Sequence, residues 1–187
     1  MQMNHSKDLV RIHVFGASGS GVTTLSKALA EALCLPYRDT DDYLWMPTEP
    51  PYQTKRPLAG RVAMLTRDSQ APKWILGGSL DQWGTDAVVP RLTLAIFLTL
   101  EQSERLARLK QREHFRFGDR IALGGDMYQT HLAFMEWATA YESDRLDLRT
   151  RARHEQWMRT LSCPIIRVSG MLPTTEQVNM VLGNHTE

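Results

Sequence analysis

The sequence has 187 residues, 42% of them hydrophobic, which is enough apolar material for one domain with a single buried core. Its formal net charge of +1 gives the whole chain no electrostatic attraction to nucleic acid or to an anionic membrane. The two cysteines, Cys34 and Cys163, have neither metal-ligand nor C-x-x-C spacing, and this favours reduced thiols.

The sequence shows no targeting or membrane-spanning pattern. Residues 1–10 are mostly polar and therefore lack the apolar core of a signal peptide. No window reaches the roughly 18 apolar residues that a membrane span requires. We expect a cytoplasmic protein with no membrane partner. Of its 22 basic residues, 17 are arginine, whose planar guanidinium binds phosphate bidentately, so the bias favours phosphate chemistry.

The first elements of the chain follow one another directly. Residues 9–15 (LVRIHVF) form an apolar, partly β-branched run that ends at a glycine, and this predicts a strand. Residues 22–34 (VTTLSKALAEALC) are rich in alanine and leucine at helical spacing. The sequence therefore predicts a strand, a glycine loop and a helix in immediate succession.

Strands and helices continue to alternate along the rest of the chain. Further strands are predicted at 36–39, 73–76, 92–100 and 164–168. Helices are predicted at 58–68, from 101 to about 113, at 127–142, at 150–161 and from 174, with a proline-rich irregular stretch at 43–57 and a flexible Arg/Gly segment at 114–126. The alternation predicts an α/β fold of three layers, with about five parallel strands between helices.

The glycine loop has the pattern of a phosphate-binding loop. It comprises Gly16, Ala17, Ser18, Gly19, Ser20, Gly21, Val22, Thr23 and Thr24. Glycines let backbone N–H groups wrap around a phosphate at the positive end of a helix. An ordinary glycine-rich turn is the alternative, but the position between the first strand and the first helix favours ATP or another nucleoside triphosphate. Thr23 is then the hydroxyl expected on Mg²⁺, and Thr24 could reach the α-phosphate.

Val22 stands where such loops usually carry a lysine that bridges the β- and γ-phosphates. Valine cannot offset negative charge during phosphoryl transfer. Either an arginine or lysine from another segment replaces the missing ammonium, or nucleotide is bound without efficient transfer. Lys27 lies one helical turn beyond Thr23 and is expected to point away.

The sequence resembles P-loop kinases of the adenylate kinase and shikimate kinase branch over nearly its whole length. The motifs are GASGSGVTTLSKALA at the loop, YRDTDDYLW after the second strand, WILGGS at the third strand, and arginines after the helix that contains Glu101 and Glu113. It is especially similar to adenylate-kinase-like ATPases with a lysine-less Walker A loop. The resemblance implies one domain over residues 1–187, with a small lid near 112–126 and an acceptor-binding segment near 43–70.

The resemblance also implies roles for residues after the second and third strands. Asp39 would support the metal and bind substrate, and Asp41 would hold and activate the acceptor; capping of the next helix is the alternative for both. Gly78 and Ser79 match a position where substrate approaches the sheet, or else form a tight turn. Ligands of open parallel sheets bind beyond the carboxyl ends of the strands, where these residues are all predicted to lie.

Arginines of the lid and of a later helix are the candidates for the missing cation. Those proposed to act in catalysis are Arg112, Arg116, Arg120 and Arg153, with Arg151 as a further possibility. In such kinases a lid closes over the nucleotide and excludes water. Each of these side chains could instead be a solvated charge on a helix face. Tyr43, Trp45 and Tyr52 could stack on a ring of the acceptor or merely pack their loop.

Two main functions remain open from the sequence. The first is an ATP-dependent phosphotransferase that uses Mg²⁺ and a small-molecule acceptor. The second is a nucleotide-binding regulatory protein with little or no transfer, as the missing lysine would suggest. RNA binding through the arginines of 105–120 is disfavoured because Glu101, Glu104, Glu113 and Asp119 dilute the positive charge. No pattern in the sequence predicts an oligomeric state.

Overall fold

The structure is a computed structural model that describes residues 9–80, 83–145 and 147–185. Within these residues it contains five strands. They are β1 (Val10–Gly16), β2 (Tyr37–Asp39), β3 (Lys73–Gly77), β4 (Leu94–Thr99) and β5 (Ile165–Ser169). All pair in parallel, in the order β2-β3-β1-β4-β5. The predicted α/β fold with a five-stranded parallel sheet is confirmed.

Eight α-helices lie between or after the strands within the same described ranges. They are α1 (Val22–Leu33), α2 (Thr40–Leu44), α3 (Leu58–Ser69), α4 (Thr85–Val88), α5 (Gln102–Phe117), α6 (Tyr128–Thr139), α7 (Arg151–Met158) and α8 (Thr174–His185). Short 3-10 helices cover Val89–Arg91, Gly118–Ile121 and Ala140–Glu142. None of the described helices is both long enough and apolar enough to cross a membrane.

The core has a layer on each face of the sheet because side chains alternate along each strand. On one face, Ile12 and Val14 of β1 pack with Leu25 and Leu29 of α1. On the other face, Phe15 packs with residues of β4 and α7, and a separate cluster joins β3 to α3 and α4. The strand order places β1 at the centre of the sheet, so its carboxyl end lies between the ends of β3 and β4.

Three local predictions need correction. Helix α5 does not end near residue 113 but continues to Phe117, and the 3-10 turn Gly118–Ile121 follows it, so the segment 114–126 is more regular than predicted. Two short helices were missed. Helix α2 begins directly after β2, where Asp39 and Asp41 were predicted to be site residues. Helix α4 has four residues, too few to show a periodic pattern.

Candidate phosphate-binding site

The glycines of the loop are required by close packing and by backbone conformation. A Cβ on Gly16 would collide with the carbonyl oxygen of Leu98, and one on Gly19 would lie 2.7 Å from the carbonyl oxygen of Arg105. Gly19 and Gly21 have φ of +86° and +105°, which favour glycine. The loop is therefore pressed against β4 and α5 in a conformation that larger residues could not adopt.

The loop is closed by its own hydrogen bonds and leads directly into α1. The backbone N–H and the hydroxyl of Ser20 donate to the carbonyl of Ala17, at 3.1 and 2.8 Å. Val22 is the first residue of the 12-residue helix α1. The first N–H groups of a helix have no partner within it, so this end of α1 can donate to an anion.

Asp39 joins the loop to the end of β2. Its Oδ2 accepts a 2.5 Å hydrogen bond from the Tyr37 hydroxyl and lies 3.5 Å from the Thr23 hydroxyl. Its Oδ1 accepts from the backbone N–H of Asp41, which makes Asp39 the N-cap of α2. Burial and the neighbouring carboxylate raise the pKa of Tyr37, so the phenol keeps its proton and remains a donor. Asp39 thus caps α2 while keeping Oδ2 beside Thr23.

Asp41 lies in the same region and experiences two opposing charges. Part of its side chain is exposed, yet loss of hydration raises the pKa of its carboxyl, and the negative charge of Asp39 raises it further. The guanidinium of Arg149 and a hydrogen bond with Trp45 lower the same pKa. The structure therefore brings Asp41 within the field of both an acidic group and an arginine.

Gly78 and Ser79 lie at the end of β3 but differ in what surrounds them. Gly78 has φ of +109°, and a Cβ there would collide with the hydroxyl of Thr40. Close packing against the start of α2 explains this glycine without a substrate. Ser79 lines a cavity that it shares with residues of β1 and α7. Their proposed role in substrate binding stays a prediction.

The predicted catalytic arginines do not form one group. Arg112 donates to Glu113 at 3.0 Å, and Arg120 bridges Asp126 and Glu49 at 2.8 and 2.9 Å on the surface. Arg116 is exposed. Arg153, by contrast, lines the same cavity as Ser79. Arg153 therefore lies near β1 and β3, and Arg112 and Arg120 pair with carboxylates elsewhere.

Arg149 contacts the phosphate loop directly and was missed in the sequence analysis. Its Nη2 donates to the Ser18 hydroxyl at 2.8 Å, and its guanidinium carbon lies 4.3 Å from the centroid of the Trp137 ring. Stacking on an aromatic face holds a guanidinium in a fixed plane. Arg149 thus contacts the loop through Ser18, and its positive charge also lowers the pKa of Asp41.

The sequence contains an indication that Arg149 lies near the site. A helix that leads into a parallel strand begins at the edge of the sheet where the other strands end. Arg149 precedes Thr150, whose hydroxyl caps α7, the helix that leads into β5. The first arginine of the run 149–153 was therefore as well placed as Arg151 and Arg153.

A second arginine, Arg105, contacts the same loop from the protein interior. Its side chain is fully buried and donates to the carbonyl of Ser18 at 3.0 Å and to that of Ala138 at 3.5 Å. It also lies 3.8 Å from a carboxylate oxygen of Glu142 and over the ring of Tyr141. Arg105 therefore connects the loop to α6 and to the turn that follows it.

The aromatic residues after β2 are mostly engaged within the protein. Tyr43 is buried, and its hydroxyl donates to Asp68 at 3.0 Å. Trp45 and Tyr52 pack edge to face with their centroids 5.8 Å apart. Tyr43 is therefore a packing residue, and stacking on a ligand stays a prediction for the other two.

Two cavities lie near the carboxyl ends of the strands, and one of them includes a residue of the loop. One, of about 220 Å³, lies at the carboxyl ends of β4 and β5 and includes Ala17 of the loop. The other, of about 230 Å³, lies beside the ends of β1 and β3 and includes Phe15, which immediately precedes Gly16. Both are positioned as expected for ligand sites of an open parallel sheet.

The chain is similar to known proteins in sequence and in fold. No family model matches the chain. The "Uncharacterized protein YqaC" of Bacillus subtilis (strain 168) is 38% identical over 172 residues, which are 91% of this chain and 94% of that protein.

Several solved structures that match are kinases, at low sequence identity. A shikimate kinase from Acinetobacter baumannii in complex with shikimate has a TM-score of 0.55 at 16% identity, over 95% of this chain and 93% of that one. A gluconokinase from Sinorhizobium meliloti 1021 has a TM-score of 0.54 at 16% identity, over 96% and 93%. Such identities show the fold alone. The chain thus has the fold of shikimate-kinase-like and gluconokinase-like P-loop kinases, and it belongs to the same family as YqaC.

Proposed function

We propose that this protein transfers the γ-phosphoryl group of a nucleoside triphosphate, ATP in the first instance, to a small-molecule acceptor. One observation carries the proposal: the guanidinium of Arg149 lies at the phosphate loop, 2.8 Å from the Ser18 hydroxyl, while its charge reaches Asp41. Arg149 thus supplies a cation beside the loop, and its charge also acts on Asp41. It takes the place of the lysine that Val22 does not provide.

The loop is suited to hold the triphosphate without that lysine. The glycine backbone and the start of α1 offer N–H groups to phosphate oxygens, and a helix N-terminus favours negative charge. Thr24 is exposed on the first turn of α1, where it could reach the α-phosphate. Binding therefore depends mainly on backbone groups, and Arg149 is left to act on the group that is transferred.

Thr23 and Asp39 fit a magnesium ion. Their hydroxyl and carboxylate oxygens lie 3.5 Å apart, and Mg²⁺ prefers oxygen ligands. The described residues contain no group of three or more His, Cys, Asp or Glu side chains that could hold a metal, so phosphate oxygens and water would complete the coordination. When bound, Mg²⁺ would neutralise charge on the phosphates.

Asp41 and Arg149 have different roles in the transfer step. Asp41 accepts the proton of the acceptor hydroxyl as the oxygen forms its bond to the γ-phosphorus and the bond to the β–γ bridging oxygen breaks. Its raised pKa makes it a better proton acceptor than an ordinary aspartate. Arg149 stabilises the negative charge on the migrating group, which is the largest demand of phosphoryl transfer.

The alternative is a regulatory protein that binds nucleotide without efficient transfer. Val22 favours it, because the usual bridging cation is absent from the loop. The contact of Arg149 with Ser18 favours transfer, because it places a cation at the loop where the usual lysine is missing.

The two functions differ in their products. We expect the purified chain with Mg²⁺ and γ-labelled ATP to transfer label to at least one member of a panel of small hydroxyl and amine compounds. Thr23→Val should lower the Mg²⁺-dependent rate about 100-fold, because it removes a metal ligand and keeps the shape of the side chain. Thr175→Val, an exposed threonine in the first turn of α8, is the matched control. Tight binding of Mg-ATP with neither transfer nor hydrolysis would support the regulatory function instead.

A further inference from the structure

The two carboxylate oxygens of Asp39 have different hydrogen-bond partners. Its Oδ1 accepts from the backbone N–H of Asp41 at 3.0 Å and so caps helix α2. Its Oδ2 accepts from the hydroxyl of Tyr37 at 2.5 Å and lies 3.5 Å from the hydroxyl of Thr23. The oxygen that caps the helix and the oxygen that faces Thr23 are therefore different atoms, and each is held by its own donor.

The ring of Tyr37 is held in place by packing. Tyr37 is the first residue of β2, where it pairs with Ile75 of β3. A Cβ on Gly77 would lie 3.1 Å from Cε2 of the ring, so the ring packs closely against that glycine. The ammonium nitrogen of Lys27 lies 5.9 Å from the ring centroid. A ring fixed in this way presents its hydroxyl at a defined position at the end of β2.

The hydroxyl of Tyr37 is not required by this packing. A phenylalanine would present the same ring to the core cluster that contains Leu25 and Ile75. A partly buried hydroxyl costs free energy unless it is hydrogen-bonded, and this one is bonded to Oδ2 of Asp39. A carboxylate can only accept, so the phenol is the donor. The structural effect of the hydroxyl is therefore to orient the Asp39 carboxylate.

We propose that Tyr37 is a positioning residue for the divalent cation held by Thr23 and Asp39, and that it makes the site prefer Mg²⁺ to Ca²⁺. This inference rests on the magnesium site of the proposed function. Tyr37 fixes the direction of Oδ2, while the cap of α2 retains Oδ1. Partners that orient metal ligands in this way typically change metal affinity by roughly 10–100-fold.

The restraint on Asp39 suits a small cation. Mg²⁺ requires nearly octahedral oxygen ligands at about 2.0–2.1 Å, whereas Ca²⁺ accepts flexible geometry at about 2.3–2.6 Å and often binds both oxygens of a carboxylate. Binding of Ca²⁺ by both oxygens of Asp39 would require Oδ1 to leave the N–H of Asp41. Mg²⁺ should therefore gain more than Ca²⁺ from the orientation that Tyr37 imposes, and should lose more when that orientation is removed.

The test compares Tyr37→Phe with the matched control Tyr43→Phe. Both substitutions remove a hydroxyl that donates to an aspartate, but the hydroxyl of Tyr43 donates to Asp68 of α3, at 3.0 Å. Titration calorimetry measures the affinity of the full chain for a non-hydrolysable ATP analogue in EDTA, in saturating Mg²⁺ and in saturating Ca²⁺. The ratio of the affinities with and without a metal reports how strongly the complex binds that metal.

We expect Tyr37→Phe to weaken the analogue about tenfold in Mg²⁺, less in Ca²⁺, and not at all in EDTA. Tyr43→Phe should leave all three affinities unchanged. Equal losses in the three solutions would mean that the hydroxyl supports the loop and not the cation. Equal losses in Mg²⁺ and Ca²⁺ alone would remove the preference between them, and no loss in Mg²⁺ would mean that Tyr37 does not position the cation. Each of these results overturns the proposal.

A second measurement needs no substitution at Tyr37. The sequence has five tyrosines, which can be labelled with ¹³C at Cζ. In the unsubstituted chain with the ATP analogue, Mn²⁺ in place of Mg²⁺ should broaden the signal of Tyr37 more than any other. Changing each of the other four tyrosines to phenylalanine in turn must leave the broadened signal in the spectrum. Stronger broadening of a different tyrosine, or of none, would overturn the proposal.

Transfer of label from ATP is measured separately. A chain with the expected metal dependence but with neither transfer nor hydrolysis contradicts only the phosphotransferase. A chain that transfers label, but in which Tyr37→Phe binds the analogue as the unsubstituted chain does, contradicts only the role of Tyr37. Failure of the analogue to bind in all three solutions contradicts both.

Discussion

Two groups of arginines that could supply the missing cation differ in their partners. On α5 and the turn after it, Arg112 and Arg120 pair with carboxylates, at distances from 2.8 to 3.0 Å. Before α7, Arg149 donates to a hydroxyl of the loop itself and stacks on Trp137. A paired surface arginine must break its ion pair to reach a phosphate, whereas Arg149 is already beside the loop. Location in the fold therefore identifies the candidate cation better than local arginine density does.

Removal of Arg149 should have the largest effect on phosphoryl transfer. We predict that Arg149→Met lowers the rate of phosphoryl transfer about 1000-fold, in the range found when a transition-state arginine is lost. Nucleotide affinity should fall far less, because the loop backbone and α1 bind the phosphates. Single-turnover rates and nucleotide titration measure the two effects separately.

A second substitution tests whether the loss of a positive charge causes the loss of rate. In the Arg149→Met background, Val22→Lys should recover part of the lost rate, since it restores a cation at the usual place in the loop. Arg159→Met, at an exposed arginine just after α7, is the matched control and should have little effect. Equal losses in Arg149→Met and Arg159→Met would mean that the contact with Ser18 has no catalytic consequence.

Arg105 should matter for stability more than any other arginine described here. We predict that Arg105→Met lowers the free energy of unfolding by about 3 kcal/mol, because it leaves two carbonyls and Glu142 without their buried partner. Urea unfolding followed by circular dichroism measures the change. Arg116→Met on the exposed face of the same helix should stay within about 0.5 kcal/mol, and a similar loss for both would contradict the role assigned to Arg105.

Substitution of Asp41 should stabilise the fold slightly, opposite in sign to the effect of Arg105→Met. Its raised pKa means that the folded chain binds this proton more tightly than the unfolded chain, so ionised Asp41 lowers the free energy of unfolding above that pKa. We predict that Asp41→Asn abolishes transfer yet raises the free energy of unfolding at pH 7 by about 0.5 kcal/mol, because solvent screens a partly exposed charge.

The gain should disappear as the pH falls below the ordinary aspartate pKa of 3.8, where both states are protonated. Urea unfolding at several pH values measures it, with Asp144→Asn at an exposed site as the control. A gain that persists at low pH would show that the carboxyl charge is not its cause.

The smallest effect is expected at the surface arginine Arg120. Exposed ion pairs contribute about 0–1 kcal/mol, and Arg120→Met should change the transfer rate less than about twofold. The same transfer assay measures it. A loss comparable with that of Arg149→Met would place the lid arginines in the transfer site and reverse the comparison.

The sequence predicted the centre of the fold well because its local signals agree. The strand predicted at 9–15 is β1 (Val10–Gly16), and the helix predicted at 22–34 is α1 (Val22–Leu33). Here a β-branched run, glycines and an alanine-rich helix point to the same structure. The end of α5 was predicted too early, although Gly118 with φ of +51° is the first glycine after the helix begins and marks its stop.

The arrangement of site residues was less predictable because it depends on packing between distant segments. Arg149 reaches Ser18 across 131 positions of the chain, and Trp137 of α6 holds it there. The histidines of the cavity beside the ends of β1 and β3 are equally nonlocal: His13 is a fully buried residue of β1, and its proximity to His154 follows from how α7 packs on β1. Neither neighbourhood has a short sequence pattern.

The most direct test of the central proposal is a crystal structure of the chain with Mg²⁺ and a non-hydrolysable ATP analogue. We predict the triphosphate in the loop formed by residues 16–24, with a guanidinium nitrogen of Arg149 about 2.7–2.9 Å from a γ-phosphate oxygen, as in charge-assisted hydrogen bonds. A bound triphosphate whose γ-phosphate is contacted by Arg112 or Arg120 while Arg149 stays apart from it would contradict the proposal.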